Sequence, residues 1–238
     1  MGGNESIHTI ISYVFGITAT VIMLYLGLRH FNDVDEFGRN WGRFALMHSA
    51  FGFIGMLGIR LTGMGEKGKR GIFPPFRKMN IASTLITSGV ILLILVITQV
   101  ISAQIILEVT ATEQALYWVF SAITEELFFR ATICYAFLFP IFRERLYTIN
   151  SKGDPAVIIV KVITALFSGI VFGLSHVNYY GTVMIYAVTV SGIIMSMWFL
   201  FFHASFLGQV DKGYDITGMM LAHFLINLIV AGKWIITL

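Results

Sequence analysis

The sequence is poor in the residues on which a water-soluble domain depends. Only 12% of its 238 residues are Asp, Glu, Lys or Arg, against about 25% in soluble domains, while 57% are apolar. That balance excludes a disordered chain, a coiled coil and a soluble nucleic-acid binder, so no nucleic acid is expected as a partner. Cys134 is the single cysteine, which rules out an intramolecular disulfide and a cysteine-rich zinc site. The formal charge of +3 calls for no anionic partner, because basic loop residues also set membrane orientation. No connection is long enough to bury a soluble core; the longest lie near Arg29–Arg43, Thr62–Asn80 and Arg143–Pro155. Repeats and low-complexity tracts are absent.

What the chain has instead is long apolar runs. A spanning helix needs about 20 mostly apolar residues, and six runs meet that length: Ile7–Leu28, Ile81–Ile106, Ala115–Phe142, Ala156–Val177, Thr182–Phe202 and Asp215–Thr237. The first reads as a span and not as a cleavable signal, since no Lys or Arg precedes it. A seventh run, Phe44–Ile59, is short and glycine-bearing, with Arg43 and Arg60 at its ends and His48 inside. It either spans, its arginines reaching the interfaces, or lies along the interface. The fold class is therefore all-α, a polytopic transmembrane bundle of six or seven spans, seven being the preferred count, forming one integral membrane domain over residues 1–238. With seven spans and an inner N-terminus, nine Lys and Arg fall on inner connections and only Arg29, Arg39 and Arg43 on outer ones. The basic loops are thus expected in the cytoplasm.

Ionisable residues inside such runs are costly, by about 2.5–3.5 kcal/mol or more at a helix centre. The run Ala115–Phe142 nevertheless carries Glu125-Glu126-Leu127-Phe128-Phe129-Arg130. Glu126 and Arg130 are four apart and share a helix face, so they can pair. Glu125 is rotated about 100° away and has no partner on its own helix. Phe172 and His176 share a face of the next run, where the ring can fix the imidazole. His223 and Asn227 share a face of the last. The last two can aim neutral donors at one developing oxyanion. A carboxylate base, a histidine to share its water and two such donors are the parts for water-mediated amide hydrolysis. Taken singly, each group also has a structural explanation: a buried ion pair, a packing histidine, an interhelical hydrogen bond. Their co-occurrence on three runs favours a site. His48, Lys161, His203 and Lys233 read as interfacial and receive no role. Gly169 and Gly173 read as a close-packing seam.

At these residues the chain resembles the CAAX-protease and bacteriocin-processing family (CPBP, also called Abi), which includes the CAAX prenyl endopeptidases. Glu125-Glu126-x-x-x-Arg130, Phe172-x-x-x-His176 and His223-x-x-x-Asn227 match its EExxxR, FxxxH and HxxxN signatures in order. The resemblance covers residues 115–238, the expected catalytic core. It implies an intramembrane endopeptidase, a hydrolase in which Glu125 activates water beside His176. It further implies that His223 and Asn227 form the oxyanion hole, that the Glu126–Arg130 pair holds the second glutamate in place, and that no cofactor or metal is needed. The implied partners are the bilayer and a peptide or protein substrate, in the prenyl endopeptidases a lipidated C-terminal tail cut after the modified cysteine. Three rivals stand beside this reading. A zinc protease is disfavoured because no H-E-x-x-H is present and Asn is a poor zinc ligand. A proton-coupled transporter would use the mid-membrane Glu125 as its proton carrier. A non-catalytic scaffold or immunity subunit would need none of this chemistry.

Overall fold

The computed structural model describes residues 3–33, 36–61, 86, 89, 90, 93, 111–134, 155–202 and 219–228, and the regular structure among them is entirely helical. In chain order these are α1 (Gly3–His30), α2 (Glu36–Leu61) and α3 (Ala111–Glu126), which continues as a π-helix over Leu127–Cys134. Next come α4 (Pro155–Ser175), α5 (Val177–Met197), continuing as a π-helix over Trp198–Phe202, and α6 (Met219–Leu228). Outside the described residues lie all but four positions of the run Ile81–Ile106, residues 135–142, the flanks of α6, His203, Lys233 and the basic connections at 62–80 and 143–154.

The burial pattern is turned inside out relative to a soluble bundle. Along α4, Ile159, Ile163, Leu166, Ile170 and Leu174 face outward, while Thr164, Ser168 and Phe172 face inward. The outward row follows the 3.6-residue period. A helix that hides hydroxyls and displays isoleucine suits a hydrocarbon solvent, where packing and hydrogen bonds hold helices together. The stretch Ile158–Ser175 of α4 is the one described helix long and apolar enough by itself to cross a membrane.

The run Phe44–Ile59 sits within the 26-residue α2, about 39 Å long at 1.5 Å per residue, more than the roughly 30 Å hydrocarbon core. Gly27 of α1 abuts Leu46, and Gly16 abuts Met56, so α2 runs antiparallel along α1. The helix is therefore long enough to span, and it shares the axis of α1. The other face of α2 docks on α3 through glycines: a Cβ at Gly55 would lie 2.8 Å from the Leu127 carbonyl oxygen, and one at Gly58 2.6 Å from Thr132 Oγ1. On the far side, α4 and α5 meet through the expected seam, with Gly169 against the Ile193 backbone and Gly173 against Thr189.

Helix α3 is the post between these two hairpins. Met23, Leu26, Trp41, Ala45 and Tyr117 pack it against α1 and α2. Leu127, Ala131, Cys134, Ala165, Phe199, Leu200 and Met219 pack its lower half against α4, α5 and α6. The change from α to π winding falls directly after the two glutamates. Thr132 Oγ1 donates to the Leu127 carbonyl five residues back (3.0 Å), and Ser168 Oγ donates to the Phe129 carbonyl from α4 (3.1 Å). These side chains occupy carbonyls at the widened turn, which would otherwise be costly to bury.

Candidate active site

Glu125 lies about 21 Å along α3 from Ala111, at the level where α2, α4 and α6 all reach the post. It is 3% exposed, and Glu126 and Arg130 are fully buried. The i,i+4 pair forms: Arg130 Nη1 is 3.0 Å from Glu126 Oε1. The guanidinium also approaches the Gly192 carbonyl (Nη2, 3.5 Å) and sits 4.8 Å from the centroid of the Phe172 ring. Phe172 faces both groups, because its ring centroid is also 4.5 Å from that of His176. It supports the cation as well as the imidazole.

Three imidazoles surround Glu125. His176 is the residue at which α4 ends and α5 begins, with φ −102° and ψ 0°. Its Nδ1 is 2.7 Å from the Phe172 carbonyl oxygen. A carbonyl only accepts, so Nδ1 carries the proton and Nε2 turns toward Glu125 Oε1, 3.9 Å away. Ser175 Oγ donates to the same carbonyl at 2.7 Å. His223 bridges the two glutamates, with Nδ1 2.8 Å from Glu126 Oε1 and Nε2 3.3 Å from Glu125 Oε2.

The third is His48 of α2, which reads as interfacial in the sequence. The structure corrects that reading. His48 is 2% exposed, its Nδ1 donates to the Phe44 carbonyl at 2.7 Å, and its Nε2 is 2.5 Å from Glu125 Oε1. Phe51 and Tyr117 flank the ring edge-on, with centroids 5.6 and 5.3 Å away. A sequence signal for it exists: Phe44-Ala45-Leu46-Met47-His48 repeats the Phe-x-x-x-His spacing of Phe172 and His176. The contacts of Glu125 come from other helices, which the reading of its own helix face does not address.

Asn227 stands apart from this group. It shares the buried face of α6 with His223, as their spacing requires, but its Nδ2 donates to the Trp118 carbonyl at 3.2 Å. The expected oxyanion pair is thus already engaged: His223 with the two carboxylates, Asn227 with the α3 backbone.

Charge closes around this arrangement. Two carboxylates and one guanidinium leave one negative charge in a buried place, which is expensive unless compensated. The His48–Glu125 contact needs a proton between its two atoms, and that proton cancels the charge. His176 and His223 can then be neutral, with Nδ1 donating and the Nε2 lone pair facing Glu125. Among the described residues, buried polar atoms without a hydrogen-bond partner gather here, including Glu125 Oε2, Glu126 Oε2 and Arg130 Nε. Such atoms mark a place where water or a reactant belongs.

The family model of the Rce1-like type II CAAX prenyl endopeptidases matches residues 109–229 of this chain. The match takes in α3 to α6, with Glu125, His176 and His223, and stops short of His48. No curated protein and no solved structure matches the chain.

Proposed function

The chain belongs to the Rce1-like type II CAAX prenyl endopeptidase family, and from that membership and the surroundings of Glu125 we propose that it is an intramembrane endopeptidase whose water is activated by Glu125. The observation that carries the proposal is the 3.9 Å separation of Glu125 Oε1 and His176 Nε2. Both atoms accept hydrogen bonds, and a gap of this size fits one water donating a proton to each. Such a water keeps its lone pairs free for a scissile carbonyl. As it attacks, Glu125 takes one proton and delivers it to the leaving amine. His176, held by the Phe172 carbonyl, fixes the direction of the second hydrogen. Glu126 and Arg130 hold His223 and the floor of the site.

The oxyanion would be met on α6. Donation by Asn227 requires it to exchange the Trp118 carbonyl for substrate, so its contribution is smaller than that of a preformed donor. A metal-free reaction is proposed because the sequence has no H-E-x-x-H motif and the amide of Asn227 is a poor zinc ligand. The proposed substrate is a peptide with a lipidated C-terminal tail, the lipid remaining in the bilayer beside the outward apolar faces. The proposed topology keeps the basic connections on the cytoplasmic side.

The test is cleavage of an internally quenched farnesylated peptide ending in a Cys-aliphatic-aliphatic-X tail by purified protein in lipid nanodiscs. The wild type should cut after the modified cysteine, unaffected by 1,10-phenanthroline, and Glu125→Gln should be inactive at unchanged thermal stability. Turnover retained by Glu125→Gln, or lost to the chelator and restored by zinc, overturns the proposal. Absence of cleavage by the wild type on farnesylated and unprenylated peptides alike returns the scaffold alternative.

A further inference from the structure

The described residues place one group at the centre that lies outside the matched family segment. His48 comes from α2, 77 positions before Glu125 in the sequence, yet makes the shortest contact to that carboxylate. Its Nδ1 is tied to the carbonyl of Phe44, four residues back. The same device holds His176, whose Nδ1 is tied to the carbonyl of Phe172, also four residues back. The two Phe-x-x-x-His turns thus approach the same Oε1 from opposite hairpins. Their distances differ: His176 stands off with room for a water, whereas His48 bonds the carboxylate directly.

We infer that His48 is a positioning residue for Glu125, a second Phe-x-x-x-His turn that clamps Oε1 so that the carboxylate faces His176 and His223. The inference rests on the reading of Glu125 as the base and adds to it the origin of its orientation. An aspartate or glutamate side chain left to itself samples several rotamers. In this cluster the remaining neighbours of Glu125 cannot choose among them. His176 and His223, when neutral, present lone pairs to the carboxylate and offer it no hydrogen bond, and Arg130 is engaged by Glu126. Among the described residues, only His48 supplies a proton to Oε1. Its own freedom is removed by the Phe44 carbonyl, by the flanking rings of Phe51 and Tyr117, and by the seating of α2. That seating depends on Gly52, Gly55 and Gly58, which follow His48 at helical spacing and touch Thr124, Leu127 and Thr132 of α3. The working unit therefore begins with α2, upstream of both residues 115–238 and the matched segment.

Two near-isosteric substitutions separate this role from mere packing. In His48→Gln the amide nitrogen occupies the place of Nε2 and keeps a donor on Glu125. In His48→Asn it occupies the place of Nδ1 and keeps only the bond to Phe44. With the farnesylated peptide in nanodiscs, His48→Asn should lower kcat about 10²-fold, the scale of an ångström-level misplacement, with KM changed less than about threefold, while His48→Gln recovers most of the loss. The infrared carboxylate band of Glu125, identified by its absence in Glu125→Gln, should shift in His48→Asn and stay near its wild-type place in His48→Gln; this reading needs no turnover. A packing role would instead make both variants follow their thermal stability and leave the band unmoved, and that result overturns the inference. If Glu125→Gln stays active, the reading of Glu125 as the base fails. If Glu125→Gln is dead and His48→Asn has wild-type kcat and band, only the clamp fails.

Discussion

The two helical hairpins that flank α3 are built alike and contribute differently. Each closes on a glycine seam, α1 and α2 through Gly27 and Gly42, α4 and α5 through Gly169 and Gly173. Each presents a histidine whose Nδ1 is bonded to a carbonyl four residues earlier. The α4 histidine sits at the break between two helices and stands 3.9 Å from Glu125. The α2 histidine sits within an unbroken helix and bonds Glu125 directly. A break in the backbone leaves space for a reactant, and a continuous helix delivers a rigid contact. In the proposed reaction the same local motif would serve a water on one side and hold the base on the other.

The strongest way to break this comparison is to remove the floor that both sides share. Arg130→Gln leaves Glu126 buried without its countercharge and takes the cation from Phe172. Loss of one partner of a buried pair costs about 3–5 kcal/mol, so thermal unfolding in detergent should fall sharply and activity should vanish with it. A stable, active Arg130→Gln would show that the pair is dispensable. His176→Ala removes the group proposed to share the water while leaving the His48 side intact. Its kcat should drop about 10²–10⁴-fold, the range of a positioned proton-transfer partner, with the unfolding temperature nearly unchanged. Equal losses in KM and stability would assign His176 to packing.

A milder contrast comes from the seams. Gly55→Ala puts a methyl against the Leu127 backbone, and Gly169→Ala puts one against Ile193. Overpacking of this kind costs about 1–3 kcal/mol in either variant. Only Gly55→Ala moves α2 away from α3, so it alone should lower kcat by more than its stability loss explains. Parallel behaviour of the two would detach the α2 side from the chemistry. The smallest effect is expected for Asn227→Ala. Its amide is engaged with Trp118, so its rate loss should stay below the roughly 10²-fold of a preformed oxyanion donor. A larger loss at unchanged KM would mean that Asn227 swings to the substrate early.

Spacing within a helix was readable from the residues alone. Glu126 with Arg130, Phe172 beside His176, and His223 with Asn227 on one buried face all follow from a four-residue offset. What crosses between helices was not. The contact of His48 with Glu125 depends on how α2 seats against α3, and His48 lies in a run whose arginine ends suggest an interface. Its Phe-x-x-x-His turn is visible in hindsight, but one such turn is too common to single out. The π-winding after Glu126 is accompanied by a bond from Ser168 of α4 to the Phe129 carbonyl, which no local pattern announces. Asn227 shows the limit from the other direction: the face it occupies is legible, and the carbonyl it binds is not.

The central claim is that two adjacent glutamates divide the work, Glu125 acting on water and Glu126 holding the bundle. The most direct test measures turnover of the farnesylated peptide and thermal unfolding side by side for Glu125→Gln and Glu126→Gln. The account predicts that Glu125→Gln unfolds like the wild type and does not cleave, whereas Glu126→Gln unfolds at a distinctly lower temperature. Residual cleavage by Glu125→Gln, or a stability order with Glu125→Gln as the weaker of the two, would contradict it.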